Sequence, residues 1–159
     1  MLTDAERADI DREIADSYTR PAACIPALRA VQRSRGWISD EALRAVADYL
    51  TMTPAELESI ATFYSLIFRR PVGKKVLAVC DSFVCWALGG ESLLSHLEGR
   101  LGIKAGETTA DGAFTLLRIA CLGDCDHAPC MMVNDVQVGD LTAALLDQIV
   151  AGDFPAEQS

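Results

Sequence analysis

Cys80, Cys85, Cys121 and Cys125 stand as two close pairs, C-x4-C and C-x3-C, with 35 residues between them. Soft thiolate donors on two short loops suit a tetrahedral zinc ion or an iron-sulfur cluster. The x4 gap lies at the loose end of zinc-knuckle spacing, and a thioredoxin-type dithiol is excluded because no C-x-x-C occurs in the chain. Gly89, Gly90 and Gly123 accompany the pairs. Residues without a side chain let backbone N–H groups approach cluster sulfurs closely, which favours iron and sulfide over zinc. Asp81, Asp124 and Asp126 are expected to add negative potential and to lower the reduction potential of a bound cluster.

The remaining candidate ligands read differently. Cys125 to Cys130 is itself C-x4-C, so spacing alone offers Cys130 in place of Cys121 or Cys125. Cys130 follows Pro129 and leads into Met131-Met132-Val133, however, and is read as a buried thiol outside the ligand set. Cys24 is assigned to a helix core. His96 sits among leucines and His127 in a charged loop, with no paired spacing of the kind a two-histidine iron centre needs.

Two kinds of element must position these residues. The first seventy residues read as four amphipathic helices. Thr3 and Glu6 form a capping-box pattern ahead of Ile10, Ile14 and Tyr18; Pro21 to Gly36 carries Ile25, Leu28 and Val31 on one face; Ser39 opens a helix with Leu43, Val46, Ala47 and Leu50. Thr53-Pro54-Ala55-Glu56 caps a fourth, bearing Leu57, Ile60, Ala61 and Tyr64. Arg69 to Gly73 breaks the pattern, and the predicted domains are 1–70, a helical bundle, and 71–159, an α/β domain.

In the second part Val76 to Cys80 is a continuous apolar run, the signature of a strand buried on both faces. A helix over Leu93 to Leu101, a strand over Phe114 to Ala120, a hairpin over Met131 to Val138 and a closing helix over Leu145 to Val150 follow. The order β-α-β-β-β-α is the thioredoxin-like one, and its right-handed crossover makes the first two strands parallel. Cys80 and Cys121 then follow strand ends at one sheet edge, where α/β sheets place ligands. The fold class is α+β: a four-helix bundle, then a thioredoxin-like α/β domain.

Composition sets the remaining bounds. A net charge of -9, from 14 basic and 23 acidic residues, opposes binding to nucleic acid. The longest apolar runs are far shorter than the roughly 20 residues a membrane span needs, and Met1 to Ile14 lacks the pattern of a signal peptide. A cytosolic chain with six cysteines favours metal chemistry over a disulfide framework. Irregular structure is expected only at the ends, such as Gly152 to Ser159.

Cys121-Leu122-Gly123-Asp124-Cys125 with Ala128-Pro129 and Met132, the C-x4-C ahead of Gly89, and upstream Gln32, Gly36-Trp37, Ala61-Thr62-Phe63-Tyr64 and Pro71-Val72-Gly73 together carry a resemblance. So do Asp111-Gly112 and Phe114-Thr115-Leu116, so that the likeness runs from about Ile10 to Val150. The chain resembles the small flavoprotein-fraction subunits, the E subunits, of bacterial NADH:quinone oxidoreductase, respiratory complex I. That resemblance implies a [2Fe-2S] cluster on Cys80, Cys85, Cys121 and Cys125, with no catalytic residue in this chain. It also implies a partner subunit that holds FMN and the NADH site, docked in part by the helical half, and a place in the peripheral arm on the inner face of the cell membrane. No G-x-G-x-x-G fingerprint occurs, in keeping with cofactor chemistry residing in a partner. Cys130 stands where the family more often has an apolar or amide residue. Equivalent subunits of NAD-reducing hydrogenases and NAD-dependent formate dehydrogenases share the pattern, and a zinc-stabilised interaction module is the alternative of another class.

Overall fold

The computed structural model describes residues 1–153 and divides the chain into two compact units, Met1–Pro71 and a second beginning at Val72. The expected tail from Gly152 to Ser159 lies outside the described residues beyond position 153.

The first unit is built from α1 (Asp4–Ala15), α2 (Cys24–Arg35), α3 (Asp40–Tyr49) and α4 (Pro54–Phe63). Thr3 and Thr53 cap α1 and α4 in full capping boxes, and Ser39 caps α3 by accepting from the Ala42 N–H. Gly36 closes α2, its N–H reaching the Gln32 carbonyl at 2.7 Å. Two details depart from the sequence reading. α1 stops at Ala15, leaving Tyr18 fully exposed, and Arg20–Ala23 forms a separate 3-10 turn before α2, capped by Thr19. Ile10, Leu28, Val31, Ile38, Leu50 and Leu57 form a dry core. Glu6 is buried beside it, with Arg35 donating to it from Nε and a terminal nitrogen at 2.6 and 2.7 Å, and Ser34 donating at 2.7 Å. Its carboxyl is held down at about 2, chiefly by the Arg35 hydrogen bonds.

The second unit is organised on β1 (Lys75–Cys80), which is buried along almost its whole length. Sheet order is β2-β1-β3-β4, with β2 spanning Phe114–Ile119, β3 Met131–Val133 and β4 Val136–Val138. β1 runs parallel to β2, pairing Lys75 with Phe114 through to Cys80 with Ile119, and antiparallel to β3. After β1 comes α5 (Phe83–Ala87), five residues long and without a side-chain cap, an element that the sequence reading missed. Two further helices, α6 (Gly90–Leu101) and α7 (Ala143–Ala151), complete the predicted order. Their Leu94, Leu97, Leu146 and Ile149 join Leu77, Leu116 and Met131 in the core of this unit. No helix among the described residues is long and apolar enough to cross a membrane.

Candidate metal centre

Parallel pairing of β1 and β2 brings the two cysteine loops to one edge of the sheet. Cys80 is the last residue of β1, its register partner is Ile119, and Cys121 leaves the sheet two residues later. The Asp81 N–H donates to the Ile119 carbonyl at 2.7 Å, tying the loops together at their roots. Cys85 is carried by α5, and Cys125 opens a 3-10 turn over Cys125–His127. Gly123 between the second pair has φ +78°, a left-handed conformation that side chains disfavour, and turns the loop back.

The candidate ligands are not placed alike. Cys80 and Cys85 are buried, and Cys121 and Cys125 are exposed. Cys130, which its sequence context left outside the ligand set, is buried with the first pair. The sulfurs of Cys80, Cys85 and Cys130 all lie within 4.8 Å of one another, with Cys85 and Cys130 at 3.8 Å. Leu122 and Ala128 pack around this thiol corner, which forms a small apolar cluster of its own.

Backbone amides aim at the sulfurs. Burial pushes the Cys80 thiol up, but the N–H groups of Leu122 and Ser82 and the neighbouring thiols hydrogen-bond to it, and the net direction is down, toward the thiolate. Leu122 thus reaches from the exposed loop to a sulfur of the buried pair. Burial raises Cys85 above the ordinary thiol range, opposed by the Cys130 N–H. Cys130 is pushed far up, by burial first and then by Cys85. Desolvation and then the adjacent Cys121 raise Cys125.

The acidic residues around the loops prove to be paired. Arg118 bonds Asp81 at 3.2 Å and both carboxylate oxygens of Glu91 at 3.0 and 2.7 Å, and His127 Nδ1 lies 2.8 Å from Asp124 and 3.6 Å from Asp126. Asp124, whose hydrogen bond is the leading cause, raises the His127 pKa. Asp81, Asp124 and Asp126 each have a cationic or ionisable partner, so their field at the sulfurs is weaker than a bare count implies. His96 bonds Asp147 at 2.9 Å across α6 and α7, away from the thiols.

Two glycines buttress the loops sterically. A Cβ on Gly90 would meet the Cys85 carbonyl oxygen at 2.7 Å, and one on Gly139 would meet His127 Cβ at 2.3 Å. Beside the buried Cys85, Phe83 and Trp86 are exposed, their rings 6.2 Å apart.

A sequence profile of the thioredoxin-like [2Fe-2S] ferredoxins matches residues 10–152. The chain belongs to that family. The donor set fits the family's cofactor: thiols on two loops at one sheet edge, amide N–H groups directed at sulfur, and a water-poor corner around the first pair. The E subunit of NADH-quinone oxidoreductase from Pseudomonas aeruginosa is 45% identical over 141 residues, covering 89% of this chain and 85% of its own length. The subunit of the same name from Escherichia coli is 44% identical over 149 residues, covering 94% and 90%. A solved NAD+-reducing [NiFe]-hydrogenase in the air-oxidised state is similar in structure, with a TM-score of 0.68 and 27% identity over 80% of this chain. The chain spans 23% of that hydrogenase chain's length.

Sequence reasoning missed the nearness of Cys130 to Cys85 and the bridging role of Arg118. For the first, the C-x4-C from Cys125 to Cys130 flagged Cys130 as a rival ligand but not its nearness to Cys85. Nothing in the spacing of Asp81, Glu91 and Arg118 signalled the second, because the pairing depends on the β1 to β2 register.

Proposed function

We propose that this chain is the electron-carrying E subunit of an NADH:quinone oxidoreductase. It holds one [2Fe-2S] cluster on Cys80, Cys85, Cys121 and Cys125 and exchanges single electrons with FMN in an NADH-oxidising partner. The observation that carries the reading is the 44 to 45% identity to subunits of that name over most of both chains. When bound, the cluster supplies a one-electron store. The chain's own residues do the rest without acid or base chemistry. Four thiolates hold iron; the N–H groups of Leu122, Ser82 and Cys130 stabilise negative charge on sulfur; the apolar corner around Cys85 excludes water.

Residues 71–159 form the cluster-bearing domain in this proposal, and 1–70 the part that docks the FMN- and NADH-binding subunit. Other peripheral-arm subunits are further partners, and the protein lies in the cytoplasm on the inner face of the cell membrane through the complex. The hydrogenase similarity favours a second reading, the equivalent subunit of an NAD-reducing hydrogenase.

Anaerobic purification tests the cofactor. The expected protein is brown, bleaches on reduction and gives an EPR signal only when reduced; a colourless protein with one zinc per chain would overturn the reading. Co-purification with the flavin-binding partner, and reduction of the cluster by NADH only in its presence, tests the partner.

A further inference from the structure

We propose that Cys130 is a fifth thiol competent to ligate the cluster, able to replace Cys85 beside Cys80. The inference rests on the four-cysteine reading above and adds a residue to which that reading gives no role.

The distance between Cys85 and Cys130 is the first reason. Two thiolates on one tetrahedral metal at about 2.3 Å stand about 3.8 Å apart, since the edge of a tetrahedron is ~1.63 times its centre-to-corner distance. The fold holds the Cys130 sulfur 3.8 Å from the Cys85 sulfur it would replace. Cys80 lies within 4.8 Å of both, so Cys80 and Cys130 need to close by no more than about 1 Å to present the same bite. The second reason is backbone attachment. The Cys80 N–H donates to the Cys130 carbonyl at 3.1 Å, so the backbone of Cys130 is tied to the end of β1. The third is burial: Cys130 is 1% exposed, as is Cys85, so either sulfur bonds metal from within the same water-poor corner.

The exchange moves no electrons. The Cys130 thiol releases its proton to solvent as its bond to iron forms, and the Cys85 sulfur takes up a proton as its own bond to iron breaks. In the native chain Cys85, on α5, holds the position, and Cys130 serves only when that bond is lost.

The test uses the full chain, purified anaerobically, with iron and sulfide content, visible absorption and EPR of the reduced state as readouts. Cys130→Ala alone should keep the wild-type cluster. Cys85→Ala should keep a [2Fe-2S] cluster with a shifted EPR spectrum, and Cys85→Ala with Cys130→Ala should lose it by more than about tenfold in iron per chain. Equal loss in the Cys85 single variant and the double variant, with folding intact by circular dichroism, overturns the proposal. Should Cys85→Ala not fold, Cys85→Ser takes its place. Its spectrum must then change when Cys130→Ala is added, and an unchanged spectrum overturns the proposal. A wild-type chain that holds no iron-sulfur cluster overturns the four-cysteine reading along with it; loss confined to Cys85→Ala leaves that reading standing.

Discussion

The two cysteine loops reach the same sheet edge by different means. Cys80 and Cys85 sit on a strand end and a helix, buried and within hydrogen-bonding reach of other thiols, whereas Cys121 and Cys125 sit on an exposed turn. The first loop is fixed by the fold itself, because β1 is held on both sides and Gly90 lets α6 start against the Cys85 carbonyl. The second is anchored at fewer points, chiefly by the Leu122 N–H on Cys80 and by the Asp140 N–H on the His127 carbonyl at 2.6 Å. The difference teaches that half of this site is a piece of hydrophobic core made of sulfur, and half is a surface turn with room to adjust.

Ligand replacement should give the largest effects and can break the comparison. Cys80→Ser is expected to abolish the cluster outright, and Cys121→Ser to abolish it or alter it severely, measured as iron per chain and EPR. If the exposed pair can be removed without consequence, the loops do not share one metal group.

Next is a contrast outside the site. Glu6→Gln is expected to cost the helical unit about 3 kcal/mol, measured by urea unfolding, while iron content stays unchanged. The pH dependence has a definite sign. The Glu6 carboxyl is depressed from 4.5 to about 2 by Arg35, so its contribution is complete above pH 4.5 and is lost as pH falls toward 2. Glu6→Gln should therefore flatten the acid limb of the helical unit's unfolding curve.

Smaller effects sharpen the rigid-versus-adaptable distinction. Gly90→Ala should lower stability by about 1 to 3 kcal/mol, because its Cβ meets backbone inside packed structure. Gly139→Ala meets a closer obstacle in His127, yet should change the melting temperature less and the cluster spectrum more, since the exposed turn can shift. An equal loss of stability in both variants would end the distinction. The smallest effect expected is from Arg118→Gln. Removing the partner of Asp81 and Glu91 should lower the reduction potential by tens of mV, on the order of what a half-exposed ion pair contributes, as read by redox titration.

Much of this was legible in local sequence. Capping boxes at Thr3 and Thr53 and i, i+3, i+4 spacing located the helices because helix ends are decided within four residues. The apolar run at Val76 to Cys80 marked the central strand because only a strand covered on both faces lacks polar positions. What escaped depends on register or on very short elements. α5 has five residues and no side-chain cap, too few for periodicity to register. Arg118 faces Asp81 only because β1 and β2 pair as they do, and Arg35 meets Glu6 across 29 residues of chain. Cys130 is the most instructive case: its apolar surroundings signalled burial, but burial beside Cys85 could not be read from a linear spacing.

One residue in the buried half makes the site observable from outside. Trp86 follows Cys85 directly and is largely exposed, while the other tryptophan, Trp37, belongs to the helical unit. An iron-sulfur chromophore absorbs where indole emits, so the fluorescence of Trp86 should dim as the metal group forms and recover as it is lost. The chain thus carries its own optical gauge of assembly.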